Sequence, residues 1–194
     1  MVTKKDKFLA VAQKFLEKGS LEKAIAEFGK AVQEDPKDTR TWLRIAELHV
    51  KRHEHDKATD VYLKTAALYV EQGFFQRAVA VYKNIIKLAP SYVDAHIKLA
   101  EIYKQLGLFS DAMQQYELAA AAHQKAGRVK EGLAAIRQIV EMTPDQPVAH
   151  IKLAEAASQA GMVDEAVKEF ARAAELLKGQ GRIDDTVWDE ITER

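Results

Sequence analysis

The chain has no cysteine, and only four prolines and nine glycines among its 194 residues. It also has no excess of either charge, with 29 basic side chains against 29 acidic ones. Each shortage excludes something. Without cysteine there is no disulfide framework, no thiolate metal site and no cysteine nucleophile. A balanced charge gives no electrostatic reason to expect nucleic acid or an anionic membrane as a partner. No stretch approaches the roughly 20 apolar residues that cross a bilayer, so membrane insertion is not expected. A secretory signal is missing as well, because Met1 to Asp6 is polar and the stretch from Phe8 to Leu16 is broken by Gln13 and Lys14. The expectation is a soluble, cytoplasmic chain. What remains is apolar enough for a core, at 47% hydrophobic and 30% charged.

The few prolines carry the first positive signal. Pro36, Pro90 and Pro144 are spaced evenly, 54 residues apart. At the same offset Ala95-His96-Ile97-Lys98-Leu99-Ala100-Glu101 recurs as Ala149-His150-Ile151-Lys152-Leu153-Ala154-Glu155. Gly73, Gly127 and Gly181 align, as do Ala58, Ala112 and Ala166, and Tyr62, Tyr116 and Phe170. The chain is a repeat array. Between prolines the apolar residues fall three and four apart, as in Leu99, Ile102, Tyr103 and Leu106, which is a helical period. Glycines at 19, 73, 107, 127, 161 and 181 stand where these runs end and read as helix stops. The pattern predicts eleven helices, near 4–18, 21–34, 39–52, 55–72, 75–88, 93–106, 109–126, 129–142, 147–160, 163–178 and 183–193. Connections this short make neighbours antiparallel, so the fold class is all-α, an α-solenoid.

Residue types recur at fixed offsets inside each helix pair. Residues 5–38 hold Phe8, Val11, Ala12, Phe15, Gly19, Ala24, Phe28, Ala31 and Pro36. Trp42, Ile45, Ala46, Ala58 and Tyr62 begin a second match, and His96, Leu99, Ala100, Tyr103, Gly107, Ala112, Tyr116 and Ala119 form a third. His150, Leu153, Ala154, Gly161, Ala166, Phe170 and Ala173 form another. This resembles the tetratricopeptide repeat, over nearly the whole chain. The resemblance implies a right-handed solenoid in a single domain, with units near 5–38, 39–92, 93–146 and 147–182 and a capping helix at 183–194. It departs from the usual 34-residue unit. Tyr62, Tyr116 and Phe170 each close one repeat and open the next, so helices 55–72, 109–126 and 163–178 serve both neighbours. The repeating unit is three helices.

Chemistry is sparse. His96, His150 and His123 stand where Trp42 and Tyr69 stand in other units, so they read as packing residues. His49 and His53 are four apart and, with His55, could approach a divalent metal. However, residues 53–55 replace a glycine turn, and a solvated polar turn is the plainer reading. No phosphate loop exists, because Gly179 and Gly181 lack the spacing and the following Lys-Ser/Thr. The four serines sit in no nucleophile setting. Acidic residues stand three from bases, as in Arg44 with Glu47, Lys98 with Glu101 and Lys152 with Glu155, which suits a solvated helix surface. Neither catalysis nor a cofactor is expected.

Family resemblance implies instead a protein or peptide partner in a concave groove. Carried over residue by residue, the fifth repeat position gives Leu9, Leu43, Ile97 and Ile151, and the ninth gives Gln13, Glu47, Glu101 and Glu155. That is an apolar ladder beside an acidic row, suited to apolar anchors flanked by Lys or Arg. The bland alternative packs the aliphatics internally and pairs the glutamates with nearby bases. The chaperone-binding subfamily places Lys and Asn where Leu9 and Gln13 stand here, so its carboxylate clamp is not expected. Phe75, following Phe74, and Trp188, beside Ile183, Val187 and Ile191, are further candidate contacts. The resemblance places the chain with bacterial adaptors of motility, pilus or envelope assembly and secretion. A self-assembling homo-oligomer is the alternative.

Overall fold

The computed structural model describes residues 2–182. Ten helices follow one another: α1 (Lys4–Glu17), α2 (Leu21–Glu34), α3 (Thr39–Lys51), α4 (His55–Glu71), α5 (Phe75–Leu88), α6 (Val93–Gln105), α7 (Phe109–Lys125), α8 (Val129–Met142), α9 (Pro147–Gln159) and α10 (Val163–Gly179). Their bounds agree with the first ten expected from periodicity to within two residues. Residues 183–193, expected to form an eleventh, lie outside the described residues.

Local chemistry explains the helix ends. Thr3 opens α1 with a capping box: its N–H donates to Asp6 Oδ2 at 2.9 Å, and Asp6 N–H donates to Thr3 Oγ1 at 3.1 Å. Those bonds, the Thr3 hydroxyl first, hold the Asp6 carboxyl below its usual range. Asp38 caps α3 by accepting from Thr41 N–H at 3.1 Å. At the far end of α4, Gly73 takes φ +75° and Phe74 N–H returns to Tyr69 O at 2.8 Å. His53 does the same work with a side chain attached. Its φ is +60°, and Glu54 N–H closes onto His49 O at 3.0 Å. Helical geometry therefore ends before His53, as its place in a glycine turn suggests.

The chain divides into two compact units, with the boundary inside α6 after Ala95. In the first, α1 packs on α2, α2 on α3, α3 on α4 and α4 on α5. Its core gathers Ala12, Ala24, Phe28, Val32, Ile45 and Leu48, with Trp42 and Val61 packed against them. α4 meets α3 and α5, its neighbours in the chain. In the second unit α7 packs on α8, α8 on α9 and α9 on α10. There Leu133, Leu153, Ala157 and Ala166 form the core. Close approach rests on small residues: Ala46, Ala58, Ala66, Ala100, Ala112 and Ala154 are fully buried. Large residues fill the space beside them, with Ile85 and Leu99 among the most enclosed. Thr65 is enclosed too, its hydroxyl donating to Val61 O at 2.7 Å.

Candidate functional site

Each unit carries a groove. In the first, an opening of about 870 Å³ lies among the starts of α1, α3 and α5 and the end of α4. Leu9 and Leu43, the fifth-position residues, are half-buried in its wall. Lys5 Nζ sits 2.8 Å from Asp35 Oδ2 and 2.6 Å from Asp38 Oδ2. Hydrogen bonds to Asp35 and then Asp38 raise the Lys5 pKa. Burial pushes Asp38 up, but bonds from Lys5 and Thr41 outweigh it and leave the carboxyl below its ordinary value. Lys37 pairs across with Glu71 at 2.8 Å. Two guanidiniums complete the lining. Arg40 is exposed and forms no ion pair among the described residues. Arg77 lies 4.8 Å from the Phe74 ring centroid and 5.9 Å from that of Tyr69. Those two rings meet edge to face at 6.4 Å.

The groove of the second unit is smaller, about 380 Å³, and more apolar. Ala120, Val129, Leu133, Ile136 and Ala156 line it, between α7, α8 and α9. Glu117 and Lys152 join in an ion pair at its edge, with Glu155 beside them. This corrects the expected Lys152–Glu155 pair: the lysine reaches α7, leaving Glu155 without an ion pair among the described residues. Between α8 and α10, Arg137 holds Glu165 by two bonds, Nε to Oε1 at 2.8 Å and Nη2 to Oε2 at 2.7 Å. Bonding to Arg137 lowers the Glu165 pKa, and bonding to Glu165 raises that of Arg137.

The other sequence-predicted contacts are distributed along the helices. Glu47 is exposed, and no ion pair joins it to Arg44. Ile97 and Ile151 are half-buried; Glu101 pairs with Lys98 at 2.9 Å, as spacing suggests. Phe75 is half-buried, whereas its neighbour Phe74 stays 46% exposed under Arg77. Trp188 lies outside the described residues. Arg40 and Arg77 escaped the sequence reading, although one signal was available. At the next 54-residue offset those positions hold Asp94 and Glu131, a reversal of charge in an otherwise similar frame.

The histidines act locally. Trp42 Nε1–H donates to Pro36 O at 2.9 Å. Two repeats on, His150 Nε2 faces Pro144 O at 2.9 Å and Nδ1 faces Glu169 Oε2 at 2.6 Å. His96 Nδ1 lies 2.9 Å from Gln115 Oε1. His123 is buried with neither ring nitrogen hydrogen-bonded. His49 Nδ1 bonds Glu54 Oε2 at 2.6 Å, which lowers the Glu54 pKa. Among the described residues no three His, Cys, Asp or Glu side chains converge as a metal site, and no helix there is long and apolar enough to cross a membrane.

No curated protein sequence matches this chain. Among solved structures it is similar to MamA 41-end from Desulfovibrio magneticus RS-1, at 17% identity over 93% of this chain and 99% of that one, with a TM-score of 0.33. It is similar to the thermophilic TPR protein TTC0263 of Thermus thermophilus, at 19% identity over 78% and 98%, TM-score 0.29. The pilus biogenesis factor PilW matches at 15% identity over 92% and 86%, TM-score 0.37. The family model described as tetratricopeptide repeat matches residues 15–67, 69–136 and 125–185, which together take in most of the sequence. With the recurring alanines buried and the glycine turns in place, the chain belongs to the tetratricopeptide-repeat family.

Proposed function

We propose that this protein is a non-enzymatic interaction scaffold whose helix faces hold a peptide or a small folded protein. The observation that carries the reading is the groove of the second unit. Its walls are aliphatic, it is open to solvent, and its edge carries Glu155, which joins no ion pair among the described residues. A rigid aliphatic slot takes an apolar side chain at little ordering cost, and the glutamate selects a neighbouring Lys or Arg. Ile151 with Glu155, Leu43 with Glu47 and Ile97 with Glu101 repeat one aliphatic–glutamate spacing, although Ile151 lies outside the lining of this groove. The family resemblance supports a cytoplasmic, bacterial adaptor of envelope, pilus or motility assemblies. Proteins captured from the source organism's lysate by wild type and by Glu101→Lys/Glu155→Lys are compared by mass spectrometry. A protein retained by wild type and lost from the variant is the expected result. Identical captured sets would remove these residues from the interface.

A specific feature favours homo-oligomerisation as a second reading. Val163, Val167 and Phe170 form an exposed stripe at helical spacing on α10. Sedimentation across a concentration series tests it. A mass that rises with concentration, and falls to monomer in Val167→Glu/Phe170→Glu, supports association through α10.

A further inference from the structure

We propose that α10 is fastened to α9 by a proton: His150 carries a hydrogen on both ring nitrogens, and the loss of one as pH rises loosens α10 from its seat.

The acceptors around the ring require it. Nε2 lies 2.9 Å from Pro144 O, a carbonyl that only accepts, so this nitrogen donates. Nδ1 lies 2.6 Å from Glu169 Oε2, and an ionised carboxylate also only accepts. A neutral imidazole has one N–H and fills one of these contacts, whereas the imidazolium fills both. A proton on Glu169 would serve instead, but the charge of Arg137 reaches Glu169 and favours the carboxylate. The ring is 6% exposed, so water is poorly placed to replace a lost bond.

The neighbouring charges leave Glu169 to the histidine. Glu165, one turn earlier on α10, takes both bonds of Arg137 from α8, and Lys168 acts on that same glutamate. On α9 itself, Lys152 reaches Glu117 of α7. Asp145 is exposed in the turn that precedes α9.

The repeat shows that the fold does not need this joint. The same two positions, 19 residues apart, hold Trp42 and Val61, then His96 and Gln115, then His150 and Glu169. Trp42 donates Nε1–H to Pro36 O at 2.9 Å, and an indole keeps that hydrogen at any ordinary pH. His96 Nδ1 faces the uncharged Gln115 amide at 2.9 Å, which a neutral ring satisfies. Of these three pairs the last alone asks for a second ring proton. Without it, a nitrogen lone pair confronts a carboxylate oxygen across the α9–α10 contact. α10 packs chiefly on α9, so the repulsion falls on the contact that seats it. A folded state that binds a proton the unfolded chain has released loses stability as pH rises.

Ring-nitrogen shifts of histidine-labelled protein are followed by NMR from about pH 5 to about pH 9. Amide exchange of α10 is measured by mass spectrometry at both limits and corrected for the intrinsic rate. His150 should keep both ring protons to a higher pH than His96. Protection of α10 should fall at least about tenfold towards the alkaline limit, while α7 and α8 keep theirs. His150→Trp/Glu169→Val, which installs the pair of the first repeat, should abolish the fall. Glu169→Gln, which installs that of the second, should abolish it and make His150 titrate with His96. If wild-type His150 loses its second proton at the same pH as His96, or below it, the proposal is overturned whether or not a variant folds. Equal protection of wild-type α10 at both limits, or a fall undiminished in both variants, overturns it as well.

Discussion

The two units use one helical frame to make grooves of opposite character. In the first, Arg40 and Arg77 join no carboxylate among the described residues and stand beside half-buried leucines. In the second, aliphatic walls from α7, α8 and α9 carry Glu155 at the edge, with no ion pair among the described residues. Core positions scarcely change between them. Ala46, Ala100 and Ala154 are all fully buried, and Tyr62 and Tyr116 are 4% and 2% exposed. Helix approach constrains the small residues tightly, because one added methyl group separates two backbones. Groove positions face solvent and meet no such limit: Arg40 and Arg77 align with Asp94 and Glu131, and the same helices form. A repeat protein can therefore diversify its ligands while keeping its core.

That separation of core from surface can be broken most sharply at the shared tyrosine position. Tyr62→Ala or Tyr116→Ala should cost about 3–5 kcal/mol, as for other buried aromatics. Phe170→Ala, at a position 44% exposed, should cost less than about 1 kcal/mol. Urea denaturation followed by circular dichroism measures all three. Equal losses would mean that the α10 position is enclosed like its counterparts.

A smaller contrast concerns a residue in the last turn of α4 and α7. Tyr69 and His123 are aligned, but only the histidine buries two unbonded ring nitrogens. His123→Leu should stabilise the protein by about 1–2 kcal/mol through removal of unsatisfied polar atoms. A loss of stability on thermal unfolding would show that the ring has a partner in solution.

The turns give a finer test. His53 adopts φ +60°, where Gly107 at the 54-residue offset adopts +73°. His53→Gly should raise stability by about 1 kcal/mol, and Gly107→His should lower it by a similar amount. Midpoints shifted in the same direction by the two changes would refute a common backbone cause.

The smallest effect is acid sensitivity, tested at one carboxylate in each unit. Folding lowers Asp38 from an ordinary 3.8 and Glu165 from 4.5. A carboxyl lowered by folding stabilises the protein above its unfolded value and loses that contribution as pH falls through the folded one. Melting temperature should therefore drop as pH falls from about 6 to about 3, with a shallower acid limb in Asp38→Asn and Glu165→Gln. Parallel acid limbs for variants and wild type would show that neither carboxylate contributes.

Much of the fold was legible because it depends on near neighbours along the chain. Ala58 and Tyr62, one turn apart, mark the buried face of a helix, and both are enclosed in α4. His53 in a glycine column marks a turn, and its backbone is left-handed. The binding surfaces were less legible. Lys152 stands three residues from Glu155, yet it pairs with Glu117, 35 residues away. Arg137 likewise finds Glu165 at a separation of 28. Spacing within one helix orders only that helix's own side chains.

By itself the sequence determined the period, the helix ends and the alanines and tyrosines of the core, since capping, turn chemistry and side-chain volume act locally. Tertiary structure decided which charges were consumed and which were left over. Lys5 reaches Asp35 and Asp38 across a helix pair, whereas Arg77 finds aromatic rings and, among the described residues, no carboxylate. Those outcomes depend on distances between separate helices, which packing sets and a one-dimensional pattern does not contain.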